Sequence, residues 1–211
     1  MFGKLFFSSE TPVPYQAKLQ PLDFPDAVPL DSFTLLGGSA IAGDKTPVVG
    51  SQKRLINGHV YKYEKDGRSL TIQMYYMFDT SGNVIGFLDS HTDIPEAAIG
   101  PSLRIERYRQ AVGYYLLFPY QGRDYLASCI NPRGETTVTL PQFRDNRYRY
   151  DIWSPRLLRW LFTAENIRDF RCLWVLISAV AEKPHSASSY AGLEQIWFDW
   201  QAQWQARFSH L

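Results

Sequence analysis

Near the end of the chain, Tyr190, Leu193, Trp197, Trp200, Trp204 and Phe208 follow one another at intervals of three or four residues. On a helix of 3.6 residues per turn these six side chains share one stripe, which predicts outward positions for Glu194, Gln195, Gln201 and Gln205. A stripe holding three indoles needs a broad apolar surface to cover it, and a β-sheet offers one. The run "RCLWVLISAV" (171–180) supplies the middle of such a sheet, because a continuous apolar stretch of strand length reads as a strand covered on both faces. The competing reading of the stripe is an exposed face that stacks on carbohydrate or lies on a membrane surface.

Other segments alternate with period two. "GHVYKYEKDGRSLTIQMYYMF" predicts strands over 58–64 and 69–78 joined at "KDG", where Gly67 provides the positive φ that a hairpin turn requires. A turn at "DTSGN" then leads to an expected short strand over 84–88. "VGYYLLFPYQGRDYLASCI" predicts a second hairpin, with strands over 112–119 and 124–130, and "IPEAAIGPSLRIERYRQA" between the hairpins reads as a loop with a helical turn. Thr139, followed by Pro141 and Gln142, resembles a capping box and predicts a helix over 140–151; Ser154-Pro155 opens a second one through "PRLLRWLF". The fold class expected is α+β, an antiparallel sheet of six or seven strands with helices near 140–162 and 188–207 packed against it. Residues 1–54, rich in Pro and Gly, read as an extended arm or linker holding one short strand at "SFTLLG", and 55–211 read as one domain.

Composition narrows the function classes. Hydrophobic residues make up 45% of the 211, enough for a core, and the net charge of +1 exerts no general pull on a polyanion, so no nucleic-acid partner is expected. The charge is uneven: residues 104–171 hold twelve Arg against seven acids. No apolar run approaches the roughly 20 residues of a membrane span, and "MFGKLFF" is too short for an export-signal core.

Several constellations could carry chemistry. Cys129 in "LASCINPRGETTVT", with His59 or His91 and Arg133, has the residue types of a nucleophile, its base and a polarising donor, although His185 and His210 compete for the base and no local signature accompanies them. Asp89, His91 and Asp93 would face one way on a strand as metal ligands, but they read more simply as solvated residues at a strand end. Neither a metal nor a cofactor is expected. Cys129 and Cys172 are either one disulfide or two inert buried thiols. Arg144, Arg147, Arg149, Arg156 and Arg159, interleaved with Tyr148 and Tyr150, could hold an anionic polysaccharide or lipid head group. The alternative is a solvated helix face paired with Asp145, Asp151 and Glu165.

"GYYLLFPYQGRDYLASCINPRGETTVT", "FRDNRYRYD", "RLLRWLF", "IRDFRCLWVLIS" and "LEQIWFDWQAQWQARF", in that order over residues 55–208, resemble the cyanobacterial proteins called cyanoexosortase A system-associated proteins. The resemblance implies a non-enzymatic accessory protein encoded beside a membrane-embedded exosortase, the transpeptidase that sorts proteins bearing a C-terminal (PEP-CTERM) tail in step with exopolysaccharide export. Its implied partners are the exosortase or its sorted substrates, and exopolysaccharide. The catalytic Cys, His and Arg belong to the exosortase, so no catalytic role passes to Cys129, and Asn131 and Arg133 in the "CINPRG" motif keep no assigned role. Family members have one N-terminal anchor and a domain outside the cytoplasm. The implied location is extracytoplasmic, with the anchor expected in a segment that this chain lacks. In that compartment the resemblance favours a Cys129–Cys172 bridge.

Overall fold

The computed structural model describes residues 20–44, 54–151, 169–181 and 187–209. Its centre is a single antiparallel sheet of β1 (Thr34–Ala42), β2 (Arg54–Lys65), β3 (Arg68–Phe78), β4 (Ile105–Arg109), β5 (Gly113–Tyr120), β6 (Arg123–Ile130) and β7 (Cys172–Val180). These strands lie side by side in the order β1-β2-β3-β7-β6-β5-β4. The fold is therefore α+β, and the apolar run at 172–180 holds the fourth, central place. Both expected hairpins form. Asp66 and Gly67 in one turn, and Gln121 and Gly122 in the other, all have positive φ, the turn whose twist matches that of the flanking strands.

The sheet is covered on both faces, which explains why β7 shows no polar alternation. Leu173, Val175 and Ile177 point to one side and join Tyr61, Tyr63, Ile72, Met74 and Leu126 beneath the C-terminal helix, Ala187–Ser209. All six residues of the aromatic stripe are buried there, so the stripe is core and not an exposed face. Two of the expected outward residues turn in: Gln201 is buried, and Glu194 accepts hydrogen bonds from Arg107 Nη1 (2.7 Å) and the Tyr115 hydroxyl (2.7 Å). The segment before β1 straps over the same face, burying Leu22, Val28 and Leu30. It is tied down by a reciprocal pair between Asn57 and the Leu22 backbone (3.0 and 2.8 Å) and by the Tyr63 hydroxyl donating to the Val28 carbonyl (2.7 Å).

Cys172, Trp174 and Leu176 point to the opposite side. They pack with Tyr75, Met77, Phe118 and Cys129 against a helix α1 (Val84–His91) and the start of α2 (Leu140–Asp151); the C-terminal helix is α3. Helix α1 replaces the strand expected over 84–88. Val84, Ile85, Phe87 and Leu88 are all buried, an i, i+1, i+3, i+4 pattern that suits one helix face, whereas a strand would turn half of them outward. The segment read as a loop also contains more structure: two 3-10 turns (Glu96–Ala98 and Pro101–Leu103) and the edge strand β4. Helix α2 has the expected bounds, and the second expected helix lies outside the described residues.

Candidate functional site

Strand β6 ends where the "CINPRG" motif begins, and β7 starts beside it. Cys129 lies opposite Trp174 in the β6–β7 register, so Cys172, two residues earlier, is its diagonal neighbour on the same face. The two sulfurs are 2.10 Å apart as a disulfide, with Cα atoms 5.7 Å apart, and the bridge is fully buried.

Beyond the bridge the chain makes a tight loop. Cys129 and Thr137 exchange two backbone hydrogen bonds (2.9 and 3.0 Å), closing 130–136. Asn131 fills the loop: its side-chain Nδ2 donates to the Glu135 carbonyl (2.6 Å) and Thr137 Oγ1 (3.2 Å), while its backbone carbonyl accepts from Gln205 Nε2 of α3 (2.9 Å). Gly134 has φ +73°, and a Cβ there would collide with the Tyr150 ring and Asn146 of α2. Only glycine allows the loop and the helix to approach this closely.

Buried charges complete the arrangement. Arg147, 1% exposed, donates to the carbonyls of Arg133 (2.6 Å) and Asp169 (3.3 Å) and lies 3.6 Å from the Asp151 carboxylate. Asp151, fully buried, also takes Arg133 Nη1 at 2.9 Å and the Asp169 backbone N–H at 2.8 Å. Asp169 in turn holds Arg171 by two hydrogen bonds (2.8 and 2.7 Å), and the Arg171 guanidinium sits 5.7 Å over the Phe208 ring of α3. The loop after β6, the end of α2, the start of β7 and the tail of α3 are thereby locked at one corner of the sheet. Charges taken out of water need several partners each, and Arg147 and Asp151 have them. This corner is a clasp.

The candidate anion-binding cluster is rearranged accordingly. Arg147 turns inward and leaves the exposed face. Arg144 is exposed; Arg149 is 70% exposed and pairs with Asp145 at 3.0 Å. Arg156, Arg159 and Glu165 lie outside the described residues, as do His185 and His210. The i, i+4 pairs Asp145–Arg149 and Arg147–Asp151 were legible, but the second is core rather than solvated. Arg133, without a role in the sequence, finds one as partner of Asp151. Asp169, Arg171 and Asn146 were missed, and the signal for Asp169 and Arg171 was their adjacency to Cys172 in "DFRC".

Of the nucleophile constellation, Cys129 is held in the disulfide and is not a free thiol in this structure. His59 faces the α3 side of the sheet and Cys129 the other. His91, at the end of α1, packs its ring 6.1 Å from Tyr75 and 6.4 Å from Trp174. Asp89 and His91 sit on this helix two residues apart and so point in different directions; among the described residues no three His, Cys, Asp or Glu side chains are grouped to hold a metal ion. A cleft of about 460 Å³ beside the β5–β6 turn includes Leu103, Tyr120 and Arg123, and the Arg123 guanidinium is already bonded to Ser178 (3.0 and 3.1 Å). Among the described residues no helix is long and apolar enough to cross a membrane. No family model, curated protein or solved structure matches the chain.

Proposed function

We propose that this chain is a non-enzymatic accessory protein of an extracytoplasmic exosortase and exopolysaccharide export system, contacting the exosortase or its sorted substrates. The observation that carries the reading is the convergence of the motifs behind the resemblance. "CINPRG", "FRDNRYRYD", "RDFRC" and "QWQARF" are separate in the chain, and Asn131, Arg133, Arg147, Asp151, Asp169, Arg171 and Gln205 from them meet in one clasp beside a cystine. Those residues serve to build a scaffold, and a buried disulfide suits an oxidising compartment.

Co-purification with a membrane exosortase, followed by crosslink mapping, tests the partner; the expected result is capture through crosslinks on this domain, and no capture from membranes holding the exosortase overturns it. The competing enzyme reading, a Cys-dependent transpeptidase or hydrolase, is separated by thiol counting. Denatured, unreduced protein should show no free thiols, whereas rapid iodoacetamide labelling of native Cys129 would sink the accessory reading. An anionic-glycan module is a second reading, favoured by Tyr148 and Tyr150 standing exposed beside Arg144 and Arg149. It requires salt-sensitive binding of acidic polysaccharide that is lost in the Arg144→Ala, Arg149→Ala double variant.

A further inference from the structure

The two edges of the sheet are built in opposite ways. Strand β4 is five residues long, and its polar side chains are all engaged. Glu106 accepts from Gln142 (2.8 Å), Arg107 donates to both Glu194 oxygens (2.7 and 2.8 Å), Tyr108 donates to Glu135 (3.1 Å), and Arg109 lies 3.9 Å over the Phe198 ring. Short length and charge keep an edge from recruiting another strand. Strand β1 has neither device. It is nine residues long, and "TLLGGSAIA" contains no charge and no proline. Its bulge between Leu35 and Gly37 interrupts only the first part; Gly37–Ala42 pairs in unbroken register with β2. Backbone groups of this stretch that point away from β2 receive no hydrogen bond from any described residue.

We propose that β1 pairs antiparallel with β1 of a second copy of this chain, across a twofold axis normal to the sheet, so that one sheet runs through both protomers. With the axis normal to the sheet, directly opposed side chains share a face only if the axis passes midway between two copies of the same residue, because a one-residue slip reverses every side chain. With the axis at Ser39, Gly37 of one protomer opposes Ile41 of its partner, Gly38 opposes Ala40, and Ser39 opposes itself. Charge selects a second copy as the occupant. An uncharged strand paired with itself sets no like charges opposite one another, whereas the same operation on β4 would set Arg107 against Arg107. Ser39 and Ala40 are small and exposed, leaving room for close approach, and Leu36, 60% exposed at the margin of the contact, gains cover. Such an interface is isologous and closed.

Sedimentation of the full chain tests this, with a monomer-to-dimer shift expected between about 1 µM and about 1 mM. Ser39→Lys and Ser39→Asp each put like charges on the axis. Each should be monomeric with unchanged circular dichroism, and an equimolar mixture of the two should regain the dimer. Tyr108→Lys on β4 should leave the wild-type dimer intact. A monomer throughout the concentration range, a dimer that persists in both single variants, or a mixture that fails to associate overturns the proposal.

Discussion

Asp151 holds three partners together: two guanidinium groups and the Asp169 backbone N–H. Asp151→Ala leaves Arg147 buried without its carboxylate, and removing one member of a buried pair costs about 3–5 kcal/mol. Arg133→Ala should cost distinctly less, because that side chain is 28% exposed and solvent takes part of its place; urea unfolding midpoints of the two variants check the order. The pairing of Arg147 with Asp151 was legible from their i, i+4 spacing, but its burial was not, since burial depends on a loop and a strand start that arrive from elsewhere in the chain. His59 makes a second residue-level case. Its ring packs 4.4 Å from Tyr61, burial lowers its pKa from 6.5, and the opposing effect of Asp26 is smaller. The unfolded chain therefore takes up the proton first as pH falls. Stability from this group is full above about pH 6.5, declines as pH drops from there toward the folded-state pKa, and levels off below it. Wild type minus His59→Gln, compared by urea midpoint at about pH 7.5 and about pH 5.5, should show a stability difference that shrinks at the lower pH; an unchanged difference refutes the assignment.

At the level of elements, legibility followed whether the signal was local. Helix α2 starts where its capping residues say it should, since Gln142 Oε1 accepts the N–H groups of Val138 (2.8 Å) and Thr139 (3.1 Å) and these contacts need only neighbouring residues. The return bond from the Gln142 N–H to Thr139 Oγ1 is long, at 3.5 Å. The glutamine is thus the stronger half of the box, and Gln142→Ala should cost about 1–2 kcal/mol, more than Thr139→Ala; equal losses in chemical unfolding would contradict this. The α3 stripe was equally readable, because six large residues in 3.6-residue period admit one helix face. Helix α1 was misread because "VIGFL" is short enough to satisfy either period, and what decides it is burial of four of its residues against the sheet. Strand β4 was missed because "IERYR" offers no apolar alternation. Its side chains are chosen for α2 and α3 on either side, and those partners are 36 and 87 residues away.

Across the whole molecule the strand order was not legible, because β7 enters between β3 and β6 from far along the chain and nothing in the hairpins announces the gap. The cystine pins that insertion. It joins β6 to β7, closes a separation of 43 residues, and encloses α2 in the resulting loop. Restricting the unfolded chain over a loop of this length is worth roughly 4 kcal/mol in the loop-entropy account, so reduced protein should unfold at a markedly lower denaturant concentration than oxidised protein. Because both sulfurs are buried between the sheet and α1, reductant should reach them only through opening of the core. The rate of thiol release by a small reductant in native buffer should then rise with added denaturant in step with unfolding. Fast release from fully native protein would show that this corner opens on its own, and would make the clasp, rather than the core, the weakest cooperative unit of the fold.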